Sequence, residues 1–103
     1  MSFKDKYIRE MLEISDSLPE LFLSRNLADL EVTYESIHQS LSDIDKDYFG
    51  RGMNNSWSSM HEFVHYSEQH DNLIAAIDGY KNSPSRGSQS DIERKIISLL
   101  GLK

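Results

Sequence analysis

The chain has 103 residues, a net charge of −6 and no cysteine. That is the length of one domain, able to bury roughly 65% of its unfolded surface, and it excludes disulfides and thiolate metal sites. The acidity excludes the electrostatic footprint of a nucleic-acid binder, and no apolar run approaches the ~20 residues of a membrane span.

The charge is unevenly placed. Residues 10–80 hold fourteen acidic and three basic side chains, a net −11, while Lys4, Lys6 and Arg9 precede them and residues 81–103 carry five basic against two acidic. Such a middle section attracts basic partners. The opening MSFKDKYIRE carries charges where a signal peptide would hold an apolar core, so a cytoplasmic protein is expected.

In chain order, Phe3, Tyr7, Met11, Ile14 and Leu18 form one helical stripe, flanked by Ile8 and Leu12. This predicts a first helix over about 3–17. Ser17-Leu18-Pro19-Glu20 predicts a stop and a restart, because proline is tolerated in a first helical turn and not in an interior. A short helix over 19–25 follows, carrying Leu21, Phe22 and Leu23.

Asn26 with Asp29 signals the next start. Leu27, Leu30, Tyr34, Ile37, Leu41, Ile44 and Tyr48 alternate spacings of three and four, an a/d seam of three heptads suited to a bundle. Asp29, Glu31, Glu35, Asp43 and Asp47 fall on the outer face, and His38 falls on the flank. The same heptad could serve as a dimer seam, making the chain a regulatory or adaptor subunit, so both a monomer and a weak homodimer are compatible with it.

Gly50 to Ser58 reads as a loop, without the strand or lysine of a phosphate-binding loop. Its Trp57 is expected to staple the loop to the following helix; the alternative is an exposed anchor for a partner.

Ser59 and Glu62 form a capping box that opens a helix over 59–80. Met60, Phe63, Val64, Ile74 and Ile77, widened by Tyr66, Leu73 and Tyr80, give its stripe, and Gly79 is expected to end it. His61 and His65 share a face opposite that stripe. His70 falls within it, so it should be a core histidine whose pKa burial lowers. Residues 81–90 read as a flexible linker, and Ser90-Asp91-Ile92-Glu93 as a second capping box. The last helix would carry Ile92, Ile96, Leu99 and Leu100 and end at Gly101. The predicted fold is all-α: a single-domain antiparallel bundle over 1–103, with four main helices and a short extra one.

His61-Glu62-Phe63-Val64-His65 matches the H-E-x-x-H of zinc hydrolases, where two histidines one turn apart bind the metal and the glutamate activates water. A third ligand is required. Glu68 and Asp71 occupy the positions where one class of these enzymes has a glycine and a third histidine, and Glu93 is distant in sequence. The two histidines point away from the stripe, so no cleft is implied. Neither an enzyme nor a cofactor is expected, with a small zinc metallohydrolase using His61 and His65 as an alternative.

Asp43-Ile44-Asp45-Lys46-Asp47-Tyr48-Phe49-Gly50 runs carboxylates into an aromatic pair at a helix end. In this segment, and in its small, acidic, helical character, the chain resembles the immunity proteins that bacteria make against colicin-type or contact-dependent toxins. The resemblance implies a basic, nuclease-type toxin domain as partner, covered by an acidic, aromatic surface. Here that surface would be Glu31, Glu35, Asp43, Asp47, Tyr48 and Phe49, together with Trp57.

Overall fold

Among the described residues of this computed structural model, 2–24 and 26–101, four α-helices and one 3₁₀ turn form, and no strand. The helices are α1 (Phe3–Leu23), α2 (Leu27–Phe49), α3 (Met60–Lys81) and α4 (Arg86–Leu99), with the 3₁₀ turn at Met53–Ser56. The all-α single domain expected from the sequence is what forms.

Helix directions follow from which residues meet. Tyr34 meets Asp78, Leu41 meets His70 and Phe49 meets Phe63, so α2 and α3 are antiparallel. Lys4 meets Glu62, Tyr7 meets His70 and Leu21 meets Tyr80, so α1 runs alongside α3 in the same direction. At the start of α4 Arg86 bonds Tyr80, and beyond its end Gly101 lies near His65 and Gln69, so the chain goes up, down, up and down.

The caps explain most of the boundaries. The Asn26 side chain accepts from the Ala28 amide at 2.9 Å and opens α2. Ser59 accepts from the Glu62 amide at 3.1 Å and opens α3. The Glu62 carboxylate, however, does not close a capping box. It bonds Lys4 across to α1 at 3.3 Å.

Three boundaries differ from expectation. The predicted helices 3–17 and 19–25 are one helix, with Pro19 inside it. Proline removes one backbone donor, at a cost of roughly 3 kcal/mol in a helix interior. Leu18 and Leu21 are buried on either side of it, so core packing carries the helix through. The extra short element is therefore the 3₁₀ turn, entered at Gly52 with φ +86°, a conformation that favours glycine.

Gly79 does not end α3. The helix continues to Lys81, and Asn82 closes it with its amide on the Asp78 carbonyl at 3.2 Å. Gly79 instead faces Ile92 of α4. Finally, α4 begins a turn before the predicted Ser90 cap. Ser85 accepts from the Ser88 amide at 3.2 Å, and Arg86 donates to the Phe22 carbonyl at 3.0 Å, so the segment read as a linker is tied down at the end of α1. Glu93 then pairs with Arg86 rather than with a cap.

The core is continuous. Met11, Leu21, Leu41, Ile77 and Ile96 are essentially fully buried, each worth about 1.5–3 kcal/mol of transfer free energy. Tyr34, Ile37, Leu41, Ile44 and Tyr48 of the α2 heptad are buried within the single chain. The heptad is thus used up internally and is not available as a dimer seam. Leu27, its first member, is exposed.

Candidate functional site

At the end of the bundle where α1 and α3 begin and α2 ends, the aromatic residues gather. Tyr7 contacts Tyr48, Phe49, Trp57 and Tyr66 edge-on, with ring centroids 5.1–5.6 Å apart. Trp57 stacks on Phe49 at 5.2 Å and on Tyr66 at 5.4 Å, and its indole N–H donates to the Tyr48 carbonyl at 3.0 Å. Edge-on and stacked pairs add about 0.5–1.5 kcal/mol each beyond burial.

This overturns part of the expected binding surface. Trp57 and Tyr48 are buried, 5% and 6% exposed, so neither is an anchor held out to a partner. Trp57 is the staple, and its polar atom caps the last turn of α2. Tyr48 is the terminal member of the seam. Burial and the nearby Glu10 carboxylate raise its pKa to about 12. Phe49 is half-buried against the same cluster.

The carboxylates fare differently. Glu31, Glu35, Asp43 and Asp47 are all exposed on α2. They do not form one patch, because a ridge of every-fourth residues winds around a helix by about 40° per step. Asp43 and Asp47 turn toward α1. There they meet Glu10 and Glu13, and the four carboxylates border a groove of about 330 Å³ floored by Ile14 and Ile44, with Ser17 and Ser40. Among the described residues, no basic side chain lines it. Gln39 donates to Asp43 at 2.9 Å and steadies one wall. Glu31 and Glu35 lie outside the groove, and Glu35 is close enough to Tyr34 to help hold its phenol protonated.

Glu10 and Glu13 were not singled out by sequence. They sit on the flank of the α1 stripe, and only the packing of α1 against α2 makes them neighbours of Asp43 and Asp47.

The histidine motif is divided between surface and contact. His61 and His65 are exposed, and Glu62 points to Lys4. Among the described residues, no three histidine, aspartate or glutamate side chains gather closely enough to hold a metal ion. His70 is the core histidine foreseen from its place in the stripe, 1% exposed. Burial lowers its pKa, outweighing the hydrogen bond to Leu41 and the carboxylates of Asp45 and Asp71, which raise it.

At the opposite end of α2, Asp78 accepts from Tyr34 and pairs with His38 at 3.3 Å, while Lys81 lies over the Tyr34 ring at 4.6 Å. His38 is half-exposed, as its flanking position implied. Burial, followed by the bond to Asp78, raises the Tyr34 pKa to about 12, so this phenol is a donor. The cluster ties α2 to α3 on an open surface.

Comparison with protein families, with curated proteins and with solved structures finds no match for this chain.

Proposed function

We propose that the chain is a binding protein that neutralises a basic partner, in the manner of an immunity protein covering a nuclease-type toxin domain. The observation that supports this reading is the groove between α1 and α2, where Glu10 and Glu13 stand opposite Asp43 and Asp47 and, among the described residues, no cation joins the lining. Within the chain, Glu10 accepts from Tyr48 and Asp43 from Gln39, and the rest of the four carboxylates' hydrogen-bonding capacity faces the groove. A cationic partner gains a focused field that speeds its approach.

The mechanism is electrostatic capture. Lysine or arginine side chains of the partner enter the groove, and a guanidinium can bridge two carboxylates at once. The field falls with salt, since the Debye length is about 8 Å at physiological ionic strength. The binding surface is Glu10, Glu13, Asp43 and Asp47, without the aromatic anchors that the sequence suggested.

The test is protection. Cells expressing the chain are challenged with a nuclease-type toxin domain encoded beside it. Survival with the native protein, lost when Glu10, Glu13, Asp43 and Asp47 are reversed to lysine in a variant that still folds, supports the reading. The absence of such a neighbouring toxin, or failure to protect, overturns the function. Protection that ignores the reversal overturns the surface.

A further inference from the structure

The acidic groove makes no use of the H-E-x-x-H motif, which occupies the first two turns of α3. The start of that helix is fixed by the Ser59 cap on the Glu62 amide. Four residues advance a helix by about 6 Å and turn it by about 40°, so His61 and His65 stand one above the other on one face. Both are exposed. Among the described residues, neither imidazole makes a hydrogen bond or an ion pair. The His65 ring packs edge-on against Tyr66, with centroids 5.1 Å apart.

Glu62 lies between the two histidines in sequence, but it is withdrawn from them. One carboxylate oxygen bonds Lys4 of α1 at 3.3 Å, and the other is buried without a partner. A hydrolase needs this carboxylate beside a metal-bound water, as general base. Here neither oxygen is offered to a water on the histidine face. The motif has lost its base and kept its two nitrogen ligands.

We infer that His61 and His65 form a non-hydrolytic chelate for one divalent transition-metal ion on the open face of α3. Side chains four apart on a helix have Cβ atoms about 5–6 Å apart, so both rings can reach one ion from the same side, at nitrogen–metal distances of about 2.0–2.1 Å. Among the described residues no third histidine or carboxylate gathers there, so water fills the remaining positions. Nitrogen ligands set the preference: Cu²⁺ binds above Ni²⁺ and Zn²⁺, while Mg²⁺ and Ca²⁺ require oxygen ligands that this pair lacks. The charges nearby favour a cation. From Met60 to Tyr80, α3 carries Glu62, Glu68, Asp71 and Asp78 and no lysine or arginine, and Lys4 is neutralised by its pair with Glu62.

The experiment is equilibrium dialysis of the full chain, free of any histidine tag, against Cu²⁺, Zn²⁺ and Mg²⁺ in turn. One Cu²⁺ per chain should be retained, Zn²⁺ should bind more weakly, and Mg²⁺ should not bind. His61→Ala and His65→Ala, both at exposed positions, should keep the helical circular dichroism and each weaken Cu²⁺ binding by at least about tenfold, or 1.4 kcal/mol. Glu62→Gln and His38→Ala should bind as the native protein does. Zn²⁺ should also raise the melting midpoint of the native protein and not of either variant at position 61 or 65, because an ion held by the folded pair stabilises the fold. No retained Cu²⁺, retention that survives the loss of both histidines, or a loss on Glu62→Gln as large as on His61→Ala overturns the inference.

Discussion

His70 donates from Nε2 to the carbonyl oxygen of Leu41, 2.8 Å away, so the centre of α3 is bonded directly to the centre of α2. A carbonyl can only accept, which fixes the proton on Nε2 and leaves Nδ1 to accept from the Tyr7 hydroxyl at 3.3 Å. One neutral imidazole thus joins three helices.

The first prediction concerns pH. The folded state holds His70 below its ordinary value of 6.5, so between that value and the lowered one the unfolded chain binds the proton and the folded chain does not. The His70 contribution is fully present above about pH 6.5 and drains as the pH falls toward the folded-state value. Urea midpoints should fall between pH 7.5 and pH 5. His70→Gln should be less stable at pH 7.5 by about 1–3 kcal/mol and show a shallower loss over that window. An equal slope in both proteins would assign the acid sensitivity to other groups.

The second concerns the staple. Trp57→Phe retains a large apolar ring but removes the indole N–H, leaving the buried Tyr48 carbonyl without that donor. A loss of about 1–3 kcal/mol is expected, read by thermal or urea unfolding. Trp57 is the chain's single tryptophan, so its fluorescence also reports this end of the bundle. It should be blue-shifted in the folded protein and move red in step with the loss of helical signal.

How much of this was legible in the sequence depends on the kind of signal. The α2 seam was legible because a three-four spacing sustained from Leu27 to Tyr48 has one helical solution, and Asn26 and Ser59 were legible because a cap acts on amides two or three residues away. His70 was legible because its place in an apolar stripe forces burial. Pro19 misled because a local rule was opposed by burial on both sides of it. Ser85 was passed over because glycine and serines around it resemble a linker, while what fixes it, Arg86 on the Phe22 carbonyl, is 64 residues away in the chain. Tyr48 and Trp57 were ambiguous in principle, since an aromatic residue at a helix end serves a core and an interface equally well. The groove could not be read, because a sequence shows the stripes of each helix but not which helix lies beside which.

The third prediction follows from Pro19. Its ring is exposed, so Pro19→Ala removes little packing and returns an N–H to the helix interior. The regained hydrogen bond and lost ring clash, set against the larger conformational freedom of the unfolded chain, should leave a net gain of about 1–2 kcal/mol. A higher melting midpoint is expected. A lower one would show that the restriction proline places on the unfolded chain outweighs the hydrogen bond regained in α1.

The last prediction separates a functional groove from a merely soluble surface. Asp43 and Asp47 line one groove with Glu10 and Glu13, and among the described residues no cation lines it, so like-charge repulsion is expected to oppose folding of the free protein. Asp43→Asn with Asp47→Asn should raise the melting midpoint at low salt, with the Gln39 bond able to persist on the asparagine oxygen. Added salt should stabilise the native protein more than the variant, because screening has less repulsion to remove from the variant. Association with a cationic partner should slow in the same variant, mostly through the on-rate. Stability and binding would then move in opposite directions on the same two residues, as expected where a site is maintained against the interest of the fold. If the variant is no more stable and the native protein is indifferent to salt, the four carboxylates are too well solvated to repel one another. The groove then loses the concentrated field on which the proposed capture depends.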